Sequence, residues 1–319
     1  MKLWGDDIEA LRAEAREVVA AGFALIAEQF GTQPDATSTT EERVGHARRR
    51  FEKTYQVDPT AEERSIAGVR CKVFVPPDGR EPRAVYLHFH GGGMFLGAPE
   101  MNDLANRDLA NRLGFAVVSV DYRLAPEHPY PAGADDCVAV LRWVLEHGER
   151  ELGASRVVLG GESAGGYLTM ATLLRARDEL DALDRIAGAN AVFGVHDWGR
   201  SASQRGMRPH DGPDMLDPEG IRFFNECYLP GRTDDERRDP AVSPAYADLR
   251  GLPPVLVSVG TCDHLLDDSL LLAARLAAVQ NRVDLFVAPD MPHGFMAFPC
   301  GITTRWVERT TAWYAEVLA

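Results

Sequence analysis

From residue 66 onward the chain alternates short apolar runs with longer amphipathic stretches, and this alternation restricts the fold more than any other feature. Strand-like runs lie at 69–75, 84–89, 115–120, 156–159, 189–195, 254–259 and 283–288. Helical candidates at 103–113, 135–147, 164–179, 218–228, 267–279 and 303–317 fall between and after them. Strands separated by helix-length segments pair in parallel, and unbroken apolar runs suit strands buried on both faces. The expected class is therefore α/β, a mostly parallel central sheet flanked by helices. No internal repeat or low-complexity tract disturbs the pattern.

The segment before residue 56 has a different texture. Ile8, Leu11, Ala15, Val18, Val19, Phe23 and Ile26 recur at spacings of three and four, the signature of one helix face. Gly22 interrupts that face at a cost of about 1 kcal/mol against alanine. A polar break at 31–40 containing Pro34 precedes a second helical candidate at 41–55. Residues 1–55 are read as a helical cap segment and 56–319 as the main domain. A second cap contribution is expected from about 197–230, where a polar stretch rich in Arg and Gly leads into Phe223, Phe224 and Tyr228. Those aromatics equally suit an ordinary core.

Bulk properties narrow the partners. A formal net charge of −14 disfavours nucleic acid and anionic membrane surfaces, both of which need a basic face. The apolar run 18–27 is too short to span a bilayer and follows acidic residues rather than a basic leader. The expectation is a cytoplasmic protein without stable membrane insertion, present as a monomer or homodimer. Its five cysteines are odd in number and scattered, which suits a reducing compartment and argues against a disulfide framework or a zinc site.

The chemistry centres on Gly161-Glu162-Ser163-Ala164-Gly165, placed between a predicted buried strand and a predicted helix. A sharp strand-to-helix turn lifts a serine hydroxyl above the end of a sheet, where reactive groups of parallel folds gather. Side chains at Gly161 and Gly165 are expected to collide with neighbouring elements in so tight a turn. At a helix N-terminus the serine also meets free N–H groups that favour developing negative charge. Random placement at this composition gives roughly 0.1 patterns of the form Gly-x-Ser-x-Gly, so the pentapeptide alone is a moderate signal.

A stronger one is His90-Gly91-Gly92-Gly93 after the strand at 84–89, expected roughly 0.01 times by chance. Consecutive glycines let backbone N–H groups approach a substrate oxygen, and acyl transfer needs two or three such donors. Gly92 and Gly93 are assigned that role with Ala164, and His90 is read as a brace for the loop. An acid and a base should follow the serine in that order. Asp263 lies past the strand 254–259, and His293 lies in the loop after the strand 283–288. His264 shares the loop of Asp263, which makes His293 the better base. Asp267 and Asp268 compete as acids, but Asp267 is better placed as an N-cap for the next helix.

These motifs, with Asp121-Tyr122-Arg123-Leu124-Ala125-Pro126-Glu127 and His293-Gly294-Phe295, resemble the hormone-sensitive-lipase-like, bacterial family IV carboxylesterases of the α/β-hydrolase superfamily. The resemblance runs from about residue 65 onward. It implies an α/β-hydrolase core, a cap built partly from N-terminal helices, and hydrolysis of short- to medium-chain carboxylic esters with no cofactor or metal. It also supports Asp263 as the acid and Gly92, Gly93 and Ala164 as the oxyanion hole. The segment 121–127 is read as structural. Three departures stand out: Glu162 where the group commonly has Asp, His264 where it commonly has Pro, and Gly194-Val195-His196-Asp197-Trp198 in place of a Ser-Pro-containing stretch.

The expected reaction is serine ester hydrolysis through an acyl-enzyme, on a small-molecule ester. An acyltransferase or lyase on the same fold is the alternative, and a non-catalytic ligand-binding protein a more distant one, because such a protein is expected to have lost a member of the Ser163, Asp263, His293 set.

Overall fold

The computed structural model describes residues 3–30, 39–207 and 214–319. Most of the expected polar break at 31–40, and 208–213 of the second cap stretch, lie outside the described residues. Eight strands form one sheet: β1 Glu62–Ile66, β2 Val69–Phe74, β3 Ala84–Phe89, β4 Phe115–Val120, β5 Val157–Glu162, β6 Ile186–Val192, β7 Val255–Gly260 and β8 Val283–Ala288. Their order is β1-β2-β4-β3-β5-β6-β7-β8. The pairs β1–β2 and β2–β4 are antiparallel, and every later pair is parallel. The helices are α1 Asp6–Glu9, α2 Arg12–Phe30, α3 Thr40–Glu52, α4 Asp103–Asp108, α5 Ala132–Leu152, α6 Ala164–Arg175, α7 Pro218–Tyr228, α8 Asp234–Arg237, α9 Leu266–Ala278 and α10 Gly301–Val317.

The expected α/β class is the observed one, and it follows from the strand sequences. Every residue of β3, β4, β6 and β7 is buried, as continuous apolar runs require. Each Val, Leu, Ile or Phe so removed from water contributes roughly 1.5–3 kcal/mol. The sequence reading misses β1, whose Glu-Glu-Arg-Ser-Ile run is largely exposed. As an edge strand it needs backbone pairing with β2 rather than apolar burial, and the turn at Ala67 and Gly68, both at positive φ, closes that hairpin. The reading also stops β5 at 159. The strand continues through Gly160, Gly161 and Glu162, which pair with Asn190, Ala191 and Val192 of β6. Glycines lack the apolar side chains by which a strand is recognised, yet their backbone still joins the ladder.

The N-terminal helices pack on the main domain. Ala15 and Val19 of α2 are buried beside Phe295, Phe298 and Met291. Gly22 is small for a reason: a methyl there would lie 2.7 Å from the Phe298 ring. Arg12 donates to Asp290 at 2.8 Å, tying α2 to the loop after β8. The helix α3 begins with a capping box, Thr39 accepting from Glu42 N and Glu42 accepting from Thr39 N.

Parallel register sets out the site. The C-terminal ends of β3 and β5 lie side by side, Phe89 opposite Gly161, and those of β7 and β8 likewise, Gly260 opposite Ala288. The loops that follow these four strands therefore open on one edge of the sheet.

Candidate active site

At the end of β5 the backbone reverses sharply into α6. Ser163 carries this turn with φ 57° and ψ −117°, a conformation that costs a non-glycine residue about 1–3 kcal/mol and persists only where the surroundings enforce it. Here the enforcement is visible. Ser163 N donates to Val192 O at 2.9 Å, and its carbonyl accepts from Tyr167 N at 3.1 Å. A methyl at Gly165 would lie 1.8 Å from Phe89 O, and one at Gly161 2.3 Å from the same atom. The collision partner is thus the last carbonyl of the neighbouring strand β3, with α6 itself as a second obstacle for Gly161.

The structure brings together the serine, the acid and the base that the sequence singles out. His293 Nε2 is 2.9 Å from Ser163 Oγ, and His293 Nδ1 is 2.9 Å from Asp263 Oδ2. Asp263 is fully buried, and its other oxygen accepts from Leu265 N at 2.7 Å. With Nδ1–H donating to the carboxylate, Nε2 is left as the acceptor for the serine proton. Burial alone pushes the His293 imidazole down, but the Asp263 carboxylate, supported by Asp214 and Glu162, outweighs it and holds the pKa above the ordinary histidine value. The loops carrying the two groups are laced together: Thr261 N donates to Ala288 O, Cys262 N to Met291 O, and Asp290 N to Thr261 Oγ1.

The glycine loop runs along the other side of Ser163. A methyl at Gly91 would lie 3.5 Å from Ser163 Cβ. Gly92 and Gly93 have φ of 122° and 58°, and a Cβ at Gly92 would meet Leu96 O at 2.1 Å. Among the described residues no hydrogen bond is made by the N–H of either glycine. The N–H of Ala164 opens α6 and has no carbonyl one turn behind it in the helix. Gly91 N instead donates to Glu162 Oε1 at 3.2 Å, while Glu162 Oε2 accepts from His88 Nε2 at 3.2 Å. Glutamate in place of aspartate therefore spans from the serine turn to β3 and the loop after it. Burial raises its pKa, but His88 and His90 more than offset this and the carboxyl lies below the usual range.

His90 is buried, stacked on Tyr122 at 4.2 Å between ring centroids, with Nδ1 donating to Gly91 O at 2.7 Å. Burial pushes its pKa down to about 4, so the ring is neutral at physiological pH. Tyr122 OH donates to His90 O at 2.8 Å, Arg123 pairs with Asp136, and Arg48 of α3 binds Phe95 O, Ala125 O and Glu127. The segment 121–127 thus ties the glycine loop to α3 and α5.

Sequence reasoning misplaces Asp267. The residue before α9 is Leu265, and Asp267 sits in the first turn, accepting from Ser203 N at 2.9 Å. Asp268 is fully buried and accepts from His196 N and Asp197 N, each at 2.8 Å, and from Ser201 and Gln204. Burial pushes its carboxyl up to about 7. Both carboxylates hold the 196–204 segment rather than His293. That segment places Trp198 against Tyr167, Phe224 and Tyr228, and Phe224 in turn lies 3.1 Å from a methyl built on Gly93.

Asp214 was not anticipated. Its Oδ1 accepts from His293 N at 2.9 Å, and its Oδ2 accepts from His264 N at 3.1 Å and His264 Nδ1 at 2.7 Å. No sequence signal marks it, because it is one aspartate in a polar stretch without periodicity.

Known proteins resemble this chain in sequence and in fold. Residues 86–297 match the model of a family described by the α/β-hydrolase fold. The chain is 36% identical to the carboxylesterase NlhH of Mycobacterium tuberculosis over 241 residues, 73% of each chain.

The chain belongs to the α/β-hydrolase family.

It is 35% identical to the esterase LipI of Mycobacterium tuberculosis, covering 76% of this chain and 75% of that one. A solved hormone-sensitive lipase from a metagenome library superposes with a TM-score of 0.76 at 30% identity, covering 97% of this chain and 98% of the other. Within the family this places it among the hormone-sensitive-lipase-like carboxylesterases, as a carboxylic ester hydrolase. No helix among the described residues is long and apolar enough to cross a membrane.

Proposed function

We propose that this α/β-hydrolase cleaves short- to medium-chain carboxylic esters with Ser163 as nucleophile, His293 as general base and Asp263 as the orienting acid. One observation carries the reading: the unbroken hydrogen-bond chain from Ser163 Oγ through His293 to buried Asp263, each link 2.9 Å. In the first half-reaction His293 Nε2 takes the serine proton as Oγ attacks the ester carbonyl. The resulting oxyanion is received by the N–H groups of Gly92, Gly93 and Ala164, where each well-aimed donor is worth about 2.7–4 kcal/mol in the transition state. His293 returns the proton to the departing alcohol, leaving Ser163 acylated. Water then adds by the same route, and the acid is released with Ser163 and His293 restored.

We also infer that the helices of 1–55 and the stretch of about 197–230 form a cap over the domain 56–319. Support comes from Phe224 against Gly93, Arg43 stacked on Phe223 at 4.0 Å, and Arg48 on the glycine loop.

Turnover of a p-nitrophenyl ester series from acetate to laurate tests this reading, with Ser163→Ala as control. Activity greatest on the shorter chains and abolished in the variant is expected. Equal activity of wild type and Ser163→Ala would sink the assignment.

A further inference from the structure

Asp214 lies far in sequence from the two histidines it touches. Its carboxylate is 2% exposed, yet it belongs to a polar stretch outside the sheet, just before Asp217 caps α7. Besides the adjacent Met215 N–H, which donates to Oδ1 at 2.7 Å, three donors among the described residues converge on it from across the fold: the N–H of His293, the N–H of His264, and the His264 ring. These belong to the two loops that carry the base and the acid. Among the described residues, the backbone-to-backbone lacing between those loops ends at Met291 on the β8 side. Beyond it, the His293 N–H donates to Asp214. The same stretch leads into α7, which sets Phe224 against Gly93.

We propose that Asp214 is a positioning residue for ester hydrolysis, a carboxylate that fixes the His293 backbone and the Asp263–His264 loop so that the imidazole stays aligned on Ser163. This inference rests on the reading of Ser163, His293 and Asp263 given above. The chemistry requires a carboxylate. An ionised Asp accepts at both oxygens, whereas Asn offers one accepting oxygen and one donating NH₂ group. With Asn, either His293 N or His264 N faces a donor. His264 gives the carboxylate both its backbone N–H and its ring, and a proline at this position would have neither to give.

Electrostatics add a second route. The groups facing His293 are Asp263, Asp214 and Glu162, all of which favour its protonated form. Those facing Asp214 include His264, His293 and the Asp263 carboxylate. Burial pushes the Asp214 carboxyl up, but the two histidines outweigh it, so the group is ionised through the neutral range. Removing its charge lowers the pKa of His293.

The test uses the full-length chain, its Asp214→Asn and Asp214→Ala variants, and p-nitrophenyl butyrate across the histidine titration range. Rates are expressed per site able to take up a fluorophosphonate at completion, which counts folded Ser163 sites. Asp214→Asn is expected to lower kcat by about 10- to 100-fold, the effect of moving a catalytic group by about 1 Å. KM is expected to stay within about threefold, because ground-state binding is not what is lost. The acid limb of kcat/KM should move to lower pH. Asp214→Asn preserves side-chain volume and keeps the question open should Asp214→Ala fold poorly. A kcat per labelled site within about threefold of wild type and an unmoved acid limb would overturn the proposal, even where the melting temperature falls. A wild-type protein that neither labels nor turns over would overturn the reading of the site itself, and this inference with it.

Discussion

Gly165→Ala isolates the steric logic of the serine turn. The added methyl would sit 1.8 Å from Phe89 O, 2.6 Å from Phe89 C and 2.9 Å from His90 O. All three are backbone atoms, so no side-chain rotation relieves the overlap. The Phe89 carbonyl must withdraw by more than an ångström, and it is the last residue of β3, directly before His90-Gly91-Gly92-Gly93. Overpacking costs about 1–3 kcal/mol where neighbours can yield, and the upper end applies where only backbone can. At about 2–4 °C per kcal/mol for a protein of this size class, the melting temperature should fall by roughly 6–12 °C. The same displacement carries the glycine loop away from Ser163, and a shift of about 1 Å is worth about 100-fold in rate. Thermal denaturation followed by circular dichroism, with kcat/KM on p-nitrophenyl butyrate, reads both effects. A variant melting within about 2 °C of wild type, with unchanged kcat/KM, would refute the reasoning.

Three other outcomes follow from the same structure. Because His293 must be neutral to accept the serine proton and its pKa is raised above the ordinary value by Asp263, kcat/KM should fall as pH drops, through an inflection above about 6.5. An inflection below that value in a pH–rate profile would contradict the assigned cause. Lys72 and Asp103 form a fully desolvated ion pair, 3% and 0% exposed, so Lys72→Ala strands a buried carboxylate and should cost about 3–5 kcal/mol in urea unfolding. Its kcat should be nearly unchanged, since β2 and α4, which carry the pair, supply none of Ser163, His293 and Asp263. Phe224→Ala should lose about 3–5 kcal/mol of stability and raise relative activity on longer acyl chains, measured as the ratio of kcat/KM for octanoate and butyrate esters.

What the sequence made legible is what depends on local pattern. The buried strands could be read because each is a continuous apolar run, and the serine turn because strand, glycines and helix are contiguous. Asp263 and His293 stood out because each follows a strand end in order, although the 2.9 Å contact between them is a fact of the folded chain. Other features were hidden for physical reasons. The edge strand β1 is held by backbone pairing and carries charged side chains. Asp267 has the composition of an N-cap, but its partner is Ser203, 64 residues away. Gly22 looked unfavourable in a helix until Phe298 was placed against it. Asp214 reaches His264 and His293 across 50 and 79 residues, a contact that only the closed fold creates. The Glu162 substitution gains meaning only once His88 and Gly91 are seen on either oxygen.

The central claim is that Ser163 Oγ is the atom that becomes acylated. Peptide mapping by mass spectrometry after exposure to a fluorophosphonate tests it most directly. A single stoichiometric adduct is expected on the peptide containing Ser163, absent when His293 is replaced by Ala and the exposure is brief. An adduct on another serine with Ser163 unmodified, in a preparation that hydrolyses esters, would contradict it.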